Sequence, residues 1–207
     1  EKNLDPDTEI LGVFVDSKVS KKILKKLSKL QGIVTFSTGF DHIDLQAAQK
    51  AKIPVCSVKS YGEHTVAEYA LMLLLALQRR LYAAVKRVKE STFDWHGLQG
   101  NDTEGKTIGV IGTGKIGRQF IRLLQGFDAQ VICHDVFPDK EFANQYGARY
   151  VQLPKLIKTA DIISLHTPLL PSTKHIINKR RIKQMKPGVL LINTARGGII
   201  HLQVIIW

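Results

Sequence analysis

A glycine-rich turn between a strand and a helix constrains the fold of this chain more than any other sequence feature. The apolar run Thr107–Ile111 predicts a strand that leads directly into Gly112, Gly114 and Gly117, and a helical pattern begins at Lys115. In a GxGxxG turn the first glycine allows the tight turn, the second lets a phosphate approach the backbone, and the third lets the helix pack on the strand. The helix N-terminus also offers N–H groups to an anion. The sequence therefore predicts a dinucleotide site.

The next predicted strand indicates which dinucleotide the site accepts. Gln130–His134 is followed by Asp135, eighteen residues after Gly117. A carboxylate at this position can accept hydrogen bonds from both hydroxyls of the adenosine ribose, and its charge repels a 2′-phosphate. We therefore predict NAD as the cofactor in preference to NADP. The alternative is a glycine turn that an acid follows by chance.

Short β-branched runs alternate with helical patterns from Ile10 onward. This alternation is typical of a parallel sheet with helices on its faces, so we predict an α/β fold. A long helix is predicted from about His64 to Lys89, after a first block of three strands and two helices. The elements of that block are Ile10–Val15, Val19–Leu30, Gly32–Phe36, Leu45–Ala51 and Pro54–Val58.

A second block begins at Thr107, after the loop-like stretch Ser91–Gly105. In that stretch Phe93 and Trp95 predict that part of the loop packs against the protein. After Thr107–Ile111, strands are predicted at Gln130–His134, Tyr150–Val151, Asp161–His166 and Val189–Asn193. The helices between them are predicted at Lys115–Leu124, Lys140–Tyr146, Leu153–Thr159 and Lys179–Met185.

The formal net charge of +12 raises the question of an anionic partner. The lysines are scattered, and the densest run, Lys18–Lys29, surrounds Ile23, Leu24 and Leu27 at helical spacing. Aromatic residues do not interleave with the charges, as a nucleic-acid platform requires. We therefore predict a solvated amphipathic helix and no specific nucleic-acid partner.

Cysteine usage and the apolar segments bear on the compartment. Cys56 and Cys133 each lie in an apolar run without ligand spacing, which predicts two buried thiols and no metal site. The first residues do not show the pattern of a signal peptide. The longest apolar segment, Val66–Leu77, contains Glu68 and is shorter than the roughly 20 residues that a bilayer requires. We expect a cytoplasmic protein without a membrane partner.

Several motifs resemble those of one enzyme family. GTGKIGRQF with Asp135 after it, ADIISLHTPL from Ala160 and INTARGG from Ile192 occur in the family's order and spacing, and STGFDHID from Ser37 adds a motif to the first block. The chain resembles the NAD-dependent D-isomer-specific 2-hydroxyacid dehydrogenases, nearest their D-lactate dehydrogenase branch. The resemblance implies a partial flavodoxin-like substrate domain in residues 1–61. It implies a Rossmann-type doubly wound parallel sheet, with the interdomain helix, in residues 62–207.

The resemblance also assigns roles to individual residues. Besides the glycines and Asp135, the cofactor residues are Lys115 and Ile116 under the pyrophosphate, His166, Thr167, Pro168 and Thr173 on the adenosine side, and Thr194 and Ala195 at the nicotinamide. On the substrate side the backbone at Thr38 and Gly39 would hold the carboxylate, and Tyr61 would cover the small side chain. His42 and His64 match no catalytic position of the family, so we interpret them as solvated or capping residues. For Asp41 and Asp44 we expect a turn and a helix cap.

Arg196 is the catalytic residue that the resemblance assigns. Its planar, permanently charged fork suits a 2-oxo acid, because it can bind the carboxylate and polarise the carbonyl that receives a hydride. A surface arginine paired with an acid is the alternative. The family also implies a histidine oriented by a glutamate, well beyond the arginine, as proton donor. This chain ends eleven residues after Arg196, and His201 does not replace that pair by spacing. We therefore expect a fragment.

Two classes of function remain open from the sequence. The first is an oxidoreductase that reduces a small 2-oxo acid such as pyruvate with NADH, as a homodimer in the complete protein. The second is a non-catalytic NAD(H)-binding interaction module with the same fold. Likeness of fold alone does not separate them.

Overall fold

The computed structural model describes residues 4–201 and 203, and the chain divides into two compact units, Glu1–Tyr61 and Gly62–Trp207. The first unit contains a three-stranded parallel sheet in the order β1-β2-β3. Its strands are β1 (Ile10–Val13), β2 (Gly32–Thr35) and β3 (Val55–Ser57), and its helices are α1 (Lys21–Lys26) and α2 (Leu45–Lys50).

The core of the first unit lies between one face of this sheet and its two helices. Ile33 of β2 is fully buried there, together with Leu24 of α1 and Ala48 of α2. The lysines of α1 are exposed, as the amphipathic pattern predicts. The helix is shorter than predicted, because at Leu27 and Leu30 the chain forms tighter turns with hydrogen bonds to the third preceding residue. Asp44 caps α2 by accepting a hydrogen bond from the Ala47 N–H, as expected.

The second unit is a doubly wound α/β domain with a five-stranded parallel sheet in the order β6-β5-β4-β7-β8. The strands are β4 (Thr107–Ile111), β5 (Gln130–His134), β6 (Ala148–Tyr150), β7 (Ile162–Leu165) and β8 (Leu190–Asn193). The helices are α3 (Glu63–Gln78), α4 (Leu81–Lys89), α5 (Lys115–Leu123), α6 (Lys140–Gln145), α7 (Leu153–Thr159) and α8 (Lys179–Ile182), with 3-10 turns at Leu124–Phe127 and Gly197–Ile199. Within the described ranges, no helix is long and apolar enough to cross a membrane.

The five-stranded sheet is covered on both faces, which explains why its central strands read as continuous apolar runs. On one face α3 and α5 pack against β4 through Leu74 and Phe120. On the other face Leu156 of α7 packs closely over Gly109, where a Cβ atom would lie 2.6 Å from its Cδ2. The strand order reverses between β4 and β7, and doubly wound sheets bind ligands at the carboxyl ends of the strands at that point. The predicted fold class is confirmed.

The helix predicted from His64 to Lys89 is wrong in one respect, because it is two helices. Arg80 adopts a left-handed conformation, with φ of 50°, between α3 and α4. At this point the Asn101 N–H donates to the Gln78 carbonyl, and Gly100 approaches so closely that a Cβ atom would lie 2.2 Å from the same oxygen. The buried Gln78 side chain also accepts a hydrogen bond from the Thr103 hydroxyl. This loop packs on the end of α3, where α3 stops.

Two expectations about burial are also wrong. Phe93 and Trp95 do not pack down, because 83% and 71% of their surfaces are exposed. Cys56 is exposed because it lies on the sheet face of the first unit opposite α1 and α2, among side chains of alternating direction in β3. Cys133 is buried as predicted, and this burial raises the pKa of its thiol to about 12.

Candidate cofactor site

The three glycines after β4 have different surroundings, and the differences fit their expected roles. Gly112 has φ of +94°, and a Cβ atom there would lie 2.7 Å from the His166 carbonyl oxygen. At Gly117 a Cβ atom would lie 2.0 Å from the Gly112 carbonyl oxygen, so only glycine permits α5 to approach the strand. Gly114, in contrast, has no atom within 4 Å of a Cβ position. The first and third glycines therefore build the turn, and the second leaves space above it.

The N-terminus of α5 opens onto that space. Gly114 is the N-cap residue, and because glycine has no side chain the first turn carries no side-chain cap. The first turn also contains no acidic residue that would neutralise the positive end of the helix dipole. Lys115 is exposed beside it, with its Nζ 3.4 Å from Glu63 Oε1. Backbone N–H groups, the helix dipole and a lysine together favour a phosphate here.

Asp135 follows β5 and is held against the glycine turn. Its Oδ2 accepts hydrogen bonds from the Thr113 backbone N–H at 2.6 Å and the Thr113 hydroxyl at 3.1 Å, while Oδ1 accepts from the Phe137 N–H at 2.9 Å. Burial raises the pKa of this carboxyl, but the hydrogen bonds from Phe137, Thr113 and Val136 outweigh it and hold the pKa below the usual value. Asp135 is therefore an anion at neutral pH, as the predicted discrimination against a 2′-phosphate requires.

Arg118 contributes to the same turn, although sequence reasoning did not identify it. Its Nε donates to the Thr113 carbonyl at 2.9 Å, and its Nη1 lies 2.8 Å from Asp139 Oδ2. The guanidinium carbon also lies 5.1 Å from the centre of the Phe142 ring. Arg118 thus links the glycine turn to the loop after β5. Its position directly after Gly117 was the available signal.

The predicted adenosine-side residues lie in the segment after β7. His166 Nε2 is 2.9 Å from Ser164 Oγ, whereas His166 Nδ1 and Thr167 Oγ1 are buried without a hydrogen-bond partner among the described residues. Thr173 closes the segment, because its hydroxyl donates to the Pro168 carbonyl at 2.5 Å and accepts from the Leu170 N–H at 2.8 Å. Thr173 therefore shapes the loop that carries Pro168.

The predicted nicotinamide-side residues follow β8. Asn193, which sequence reasoning missed, accepts a hydrogen bond from the Ala195 N–H and donates one to the Arg196 carbonyl. The Thr194 hydroxyl is buried without a partner in the described part of the chain. The half-buried Arg196 donates from Nη1 to the Ala195 carbonyl at 3.0 Å and makes further contacts. Asn193 therefore fixes the backbone that presents Thr194 and Arg196.

These residues fit a dinucleotide. The segments that follow β4, β5, β7 and β8 all leave the sheet at its carboxyl edge, on either side of the strand reversal. In the part of the chain that the structure describes, buried polar atoms of His166, Thr167 and Thr194 have no hydrogen-bond partner, and they lie in two of those segments. Buried polar groups ordinarily have partners. Together with the open space at Gly114 and the anionic Asp135, these atoms are the donors and acceptors that a bound dinucleotide would satisfy.

The predicted substrate residues lie in the first unit. Thr38 is exposed and Gly39 is half-buried, and both lie in the loop that follows β2. The buried Ser37 hydroxyl donates to the Gly39 carbonyl at 2.6 Å, and Thr35 Oγ1 lies 2.7 Å from Ser37 Oγ. His42 Nε2 is 3.1 Å from Thr35 Oγ1, so this histidine anchors the loop and is not simply solvated. Tyr61 is 63% exposed, and the roles of Thr38, Gly39 and Tyr61 stay predictions.

The His166 imidazole, whose Nδ1 atom is buried, makes stability depend on pH. Burial lowers its pKa from 6.5 to about 4, so below pH 6.5 the unfolded chain binds a proton that the folded chain rejects. The free energy of unfolding should therefore fall as the pH drops from 6.5 towards 4, by up to about 3 kcal/mol from this group. His166→Gln should lose that part of the fall, measured by urea unfolding at pH 7 and 4.5. His64→Gln, at an exposed histidine, is the control, and an unchanged fall in His166→Gln would contradict the prediction.

A doubly wound sheet with this glycine turn, an acid after the next strand and this strand reversal defines a dinucleotide-binding domain of the Rossmann type. Residues 71–206 match the family model of the D-isomer specific 2-hydroxyacid dehydrogenase, NAD binding domain. The chain belongs to this family, and the predicted cofactor, NAD, is confirmed by it.

Relatives along almost the whole chain agree with this assignment. The chain is 39% identical over 203 residues to a 2-hydroxyacid dehydrogenase homolog of Zymomonas mobilis, covering 97% of this chain and 61% of the relative. It is 38% identical over 200 residues to the D-lactate dehydrogenase of Escherichia coli, covering 96% and 60%. The structure of D-lactate dehydrogenase from Aquifex aeolicus complexed with NAD and lactic acid superposes with a TM-score of 0.92 at 37% identity, covering 97% and 60%. The chain thus spans about three fifths of the length of these relatives.

Proposed function

We propose that this chain is the cofactor-binding part, with a portion of the substrate-binding part, of an NAD-dependent dehydrogenase that reduces a small 2-oxo acid, pyruvate to D-lactate. Residues 1–61 would belong to the substrate domain and residues 62–207 to the cofactor domain. The observation that carries the proposal is the turn after β8, where Asn193 fixes the backbone that carries Thr194 and Arg196 at the carboxyl edge of the sheet. The buried Thr194 hydroxyl has no hydrogen-bond partner among the described residues. Relatives that are D-lactate dehydrogenases support it.

The chain's own residues would divide the work as follows. Bound NADH would supply the hydride. Thr194 and Ala195 would orient the nicotinamide, while Arg196 would grip the substrate carboxylate and polarise the adjacent carbonyl with its planar fork. In residues 1–61, the backbone at Thr38 and Gly39 would also bind the substrate carboxylate, and Tyr61 would cover the methyl group. Asp135 and the segment His166–Thr173 would bind the adenosine half.

Protonation of the carbonyl oxygen needs an acid that titrates near neutral pH. His166 is unsuited to this role, because burial holds its pKa at about 4 and leaves it neutral. His42 is engaged with Thr35 in the loop after β2. We therefore assign neither histidine as the proton donor, and we infer that the donor is a histidine oriented by a carboxylate, as in the family.

Substitution of Arg196 tests the proposed reaction. In the protein expressed from its own gene, Arg196→Lys should lower kcat/KM for pyruvate about 100-fold or more, because a point charge cannot reproduce the two-pronged contact. Arg196→Gln should be worse. The measurement is NADH oxidation with pyruvate, and Arg180→Lys on the exposed face of α8 is the matched control. Unchanged kinetics in Arg196→Lys would remove Arg196 from the reaction, and NADH binding without turnover of any small 2-oxo acid would favour the non-catalytic module.

We infer that the partner of this protein is a second copy of itself. Exposed apolar side chains line α4 and the segment after it, and no residue of α4 is buried. They are Leu81, Tyr82, Val85, Val88, Phe93 and Trp95. Exposed apolar surface of this extent is typical of a protein–protein interface, and aromatic residues are enriched in such interfaces.

The free thiols of Cys56 and Cys133 support a reducing compartment, and we propose the cytoplasm.

The association should depend on the aromatic side chains of this face. Tyr82→Ser combined with Trp95→Ser should shift the protein from dimer to monomer in sedimentation velocity experiments, because aromatic anchors dominate interface energies. Leu170→Ser, at an exposed apolar residue elsewhere, should leave the dimer intact. A monomeric unmodified protein at micromolar concentration would contradict the inference.

A further inference from the structure

A chain of hydroxyl groups links the carboxyl ends of three neighbouring strands. The Tyr150 hydroxyl, at the end of β6, lies 2.7 Å from Thr113 Oγ1, which follows β4. Thr113 Oγ1 lies in turn 3.1 Å from Oδ2 of Asp135, which follows β5. Thr113 is 3% exposed and Tyr150 is half-buried, so the connection is shielded from solvent along most of its length.

The chemistry of Asp135 fixes the direction of these hydrogen bonds. An ionised carboxylate only accepts, so the Thr113 hydroxyl must donate its single proton to Asp135. Thr113 Oγ1 then has only acceptor capacity left, and the Tyr150 hydroxyl must be the donor to it. Tyr150 therefore orients the Thr113 hydroxyl towards Asp135. Hydrogen bonds to an ionised group are stronger than those between neutral groups. The bond from Tyr150 to Thr113 polarises the Thr113 hydroxyl and so strengthens its bond to Asp135.

We propose that Tyr150 is a positioning residue for cofactor discrimination, which holds Asp135 through Thr113 in the orientation that accepts a ribose diol and excludes a 2′-phosphate. The proposal rests on the NAD-linked function proposed above and extends it to a residue that does not touch the cofactor. Accommodation of a 2′-phosphate would require the carboxylate to turn away from the ribose. The hydrogen bonds that Asp135 accepts from the Thr113 backbone N–H and the Thr113 hydroxyl oppose that rotation. The Tyr150 hydroxyl holds the Thr113 hydroxyl in the orientation that donates to Asp135.

The test compares NADH with NADPH in variants that change single hydroxyl groups. Tyr150→Phe should lower the ratio of the NADPH dissociation constant to the NADH dissociation constant about 10-fold, because one neutral hydrogen bond is lost while the ring stays. Thr113→Val, which keeps the backbone bond, should narrow the ratio at least as much, and Thr113→Ser should restore it. Tyr146→Phe is the matched control, because this half-buried tyrosine has no hydroxyl hydrogen bond among the described residues. Affinities are measured by cofactor fluorescence, with folding checked by circular dichroism.

A second comparison isolates the path through Asp135. Tyr150→Phe should leave the ratio unchanged in an Asp135→Ala background, because the group that it positions is absent. A tenfold effect that persists in that background would overturn the proposal. An unaltered preference for NADH over NADPH in Tyr150→Phe would also overturn it. An equal loss of affinity for both cofactors would overturn it as well, because that result would indicate that Tyr150 has a purely structural role. An unmodified protein that binds both cofactors equally would overturn the proposed NAD preference together with this inference.

Discussion

Replacing Gly117 with alanine should destabilise the second unit by about 3 kcal/mol or more, the largest effect on stability that we expect from a single methyl group. The added Cβ would lie 2.0 Å from the Gly112 carbonyl oxygen, and this neighbour is backbone that cannot rotate away. Relief requires α5 to move off β4, and that movement would disturb the contact of Phe120 with the core. Urea unfolding followed by circular dichroism measures the loss.

Gly114→Ala is the matched control, with the same chemical change three residues away. A Cβ there meets nothing within 4 Å, and its φ of −68° suits alanine, so the free energy of unfolding should change by about 1 kcal/mol or less. The affinity for NADH should instead fall about 10-fold or more, because the methyl group occupies the space that a pyrophosphate needs. A stable Gly117→Ala protein, or a Gly114→Ala protein with undiminished NADH affinity, would contradict this account of the turn.

Asp135→Ala should weaken NADH binding at least about 100-fold, since each of the two charge-assisted hydrogen bonds to the ribose hydroxyls is worth about 1.5–3 kcal/mol. NADPH should lose much less affinity or gain some, because the repulsion of its 2′-phosphate disappears with the carboxylate. Fluorescence titrations with both cofactors measure the change. Glu104→Ala, at an exposed acid of the same unit, controls for the general loss of negative charge.

The carboxylate also accepts hydrogen bonds from Thr113, so its removal loosens the glycine turn itself. Asp135→Asn keeps one acceptor oxygen and the shape of the side chain, and it should lie between the alanine variant and the unmodified protein in both stability and NADH affinity. If the alanine variant lost affinity for NADH and NADPH to the same degree, Asp135 would be a structural residue of the turn and not a selector.

Local patterns predicted the second unit well. Thr107–Ile111, Gln130–His134 and Leu153–Thr159 were predicted with the observed boundaries, because a buried strand reads as an unbroken β-branched run and a helix as a periodic one. The glycine turn and the acid could also be located, because GxGxxG after a strand and an acid at the end of the next strand are patterns that the sequence itself shows. The contacts that hold them, between Gly112 and His166 and between Asp135 and Thr113, could not.

Features that depend on distant contacts could not be predicted in the same way. The break at Arg80 is imposed by Gly100 and Asn101, which follow about twenty residues later and carry no periodic signal. The link from Tyr150 to Thr113 spans 37 residues and exists only because β6, β5 and β4 are neighbours in the sheet. Asn193 and Arg118 are residue types that are common on protein surfaces. Only their hydrogen bonds to the backbone of the neighbouring turns show that they stabilise those turns.

Each unit contains one cysteine, so the alkylation rate of its thiol can be measured separately for each unit. Cys56 is exposed in the first unit, whereas Cys133 is buried in the second with a thiol pKa of about 12. A thiol must be both accessible and ionised to react with an alkylating reagent, so Cys133 is protected as long as β5 stays packed. Alkylation of Cys133 then counts the openings of the cofactor-binding unit, on the scale of local unfolding that hydrogen exchange measures for amides. Added NADH should slow the alkylation of Cys133 and leave the alkylation rate of Cys56 unchanged. Cys56 therefore serves as an internal reference for the reaction.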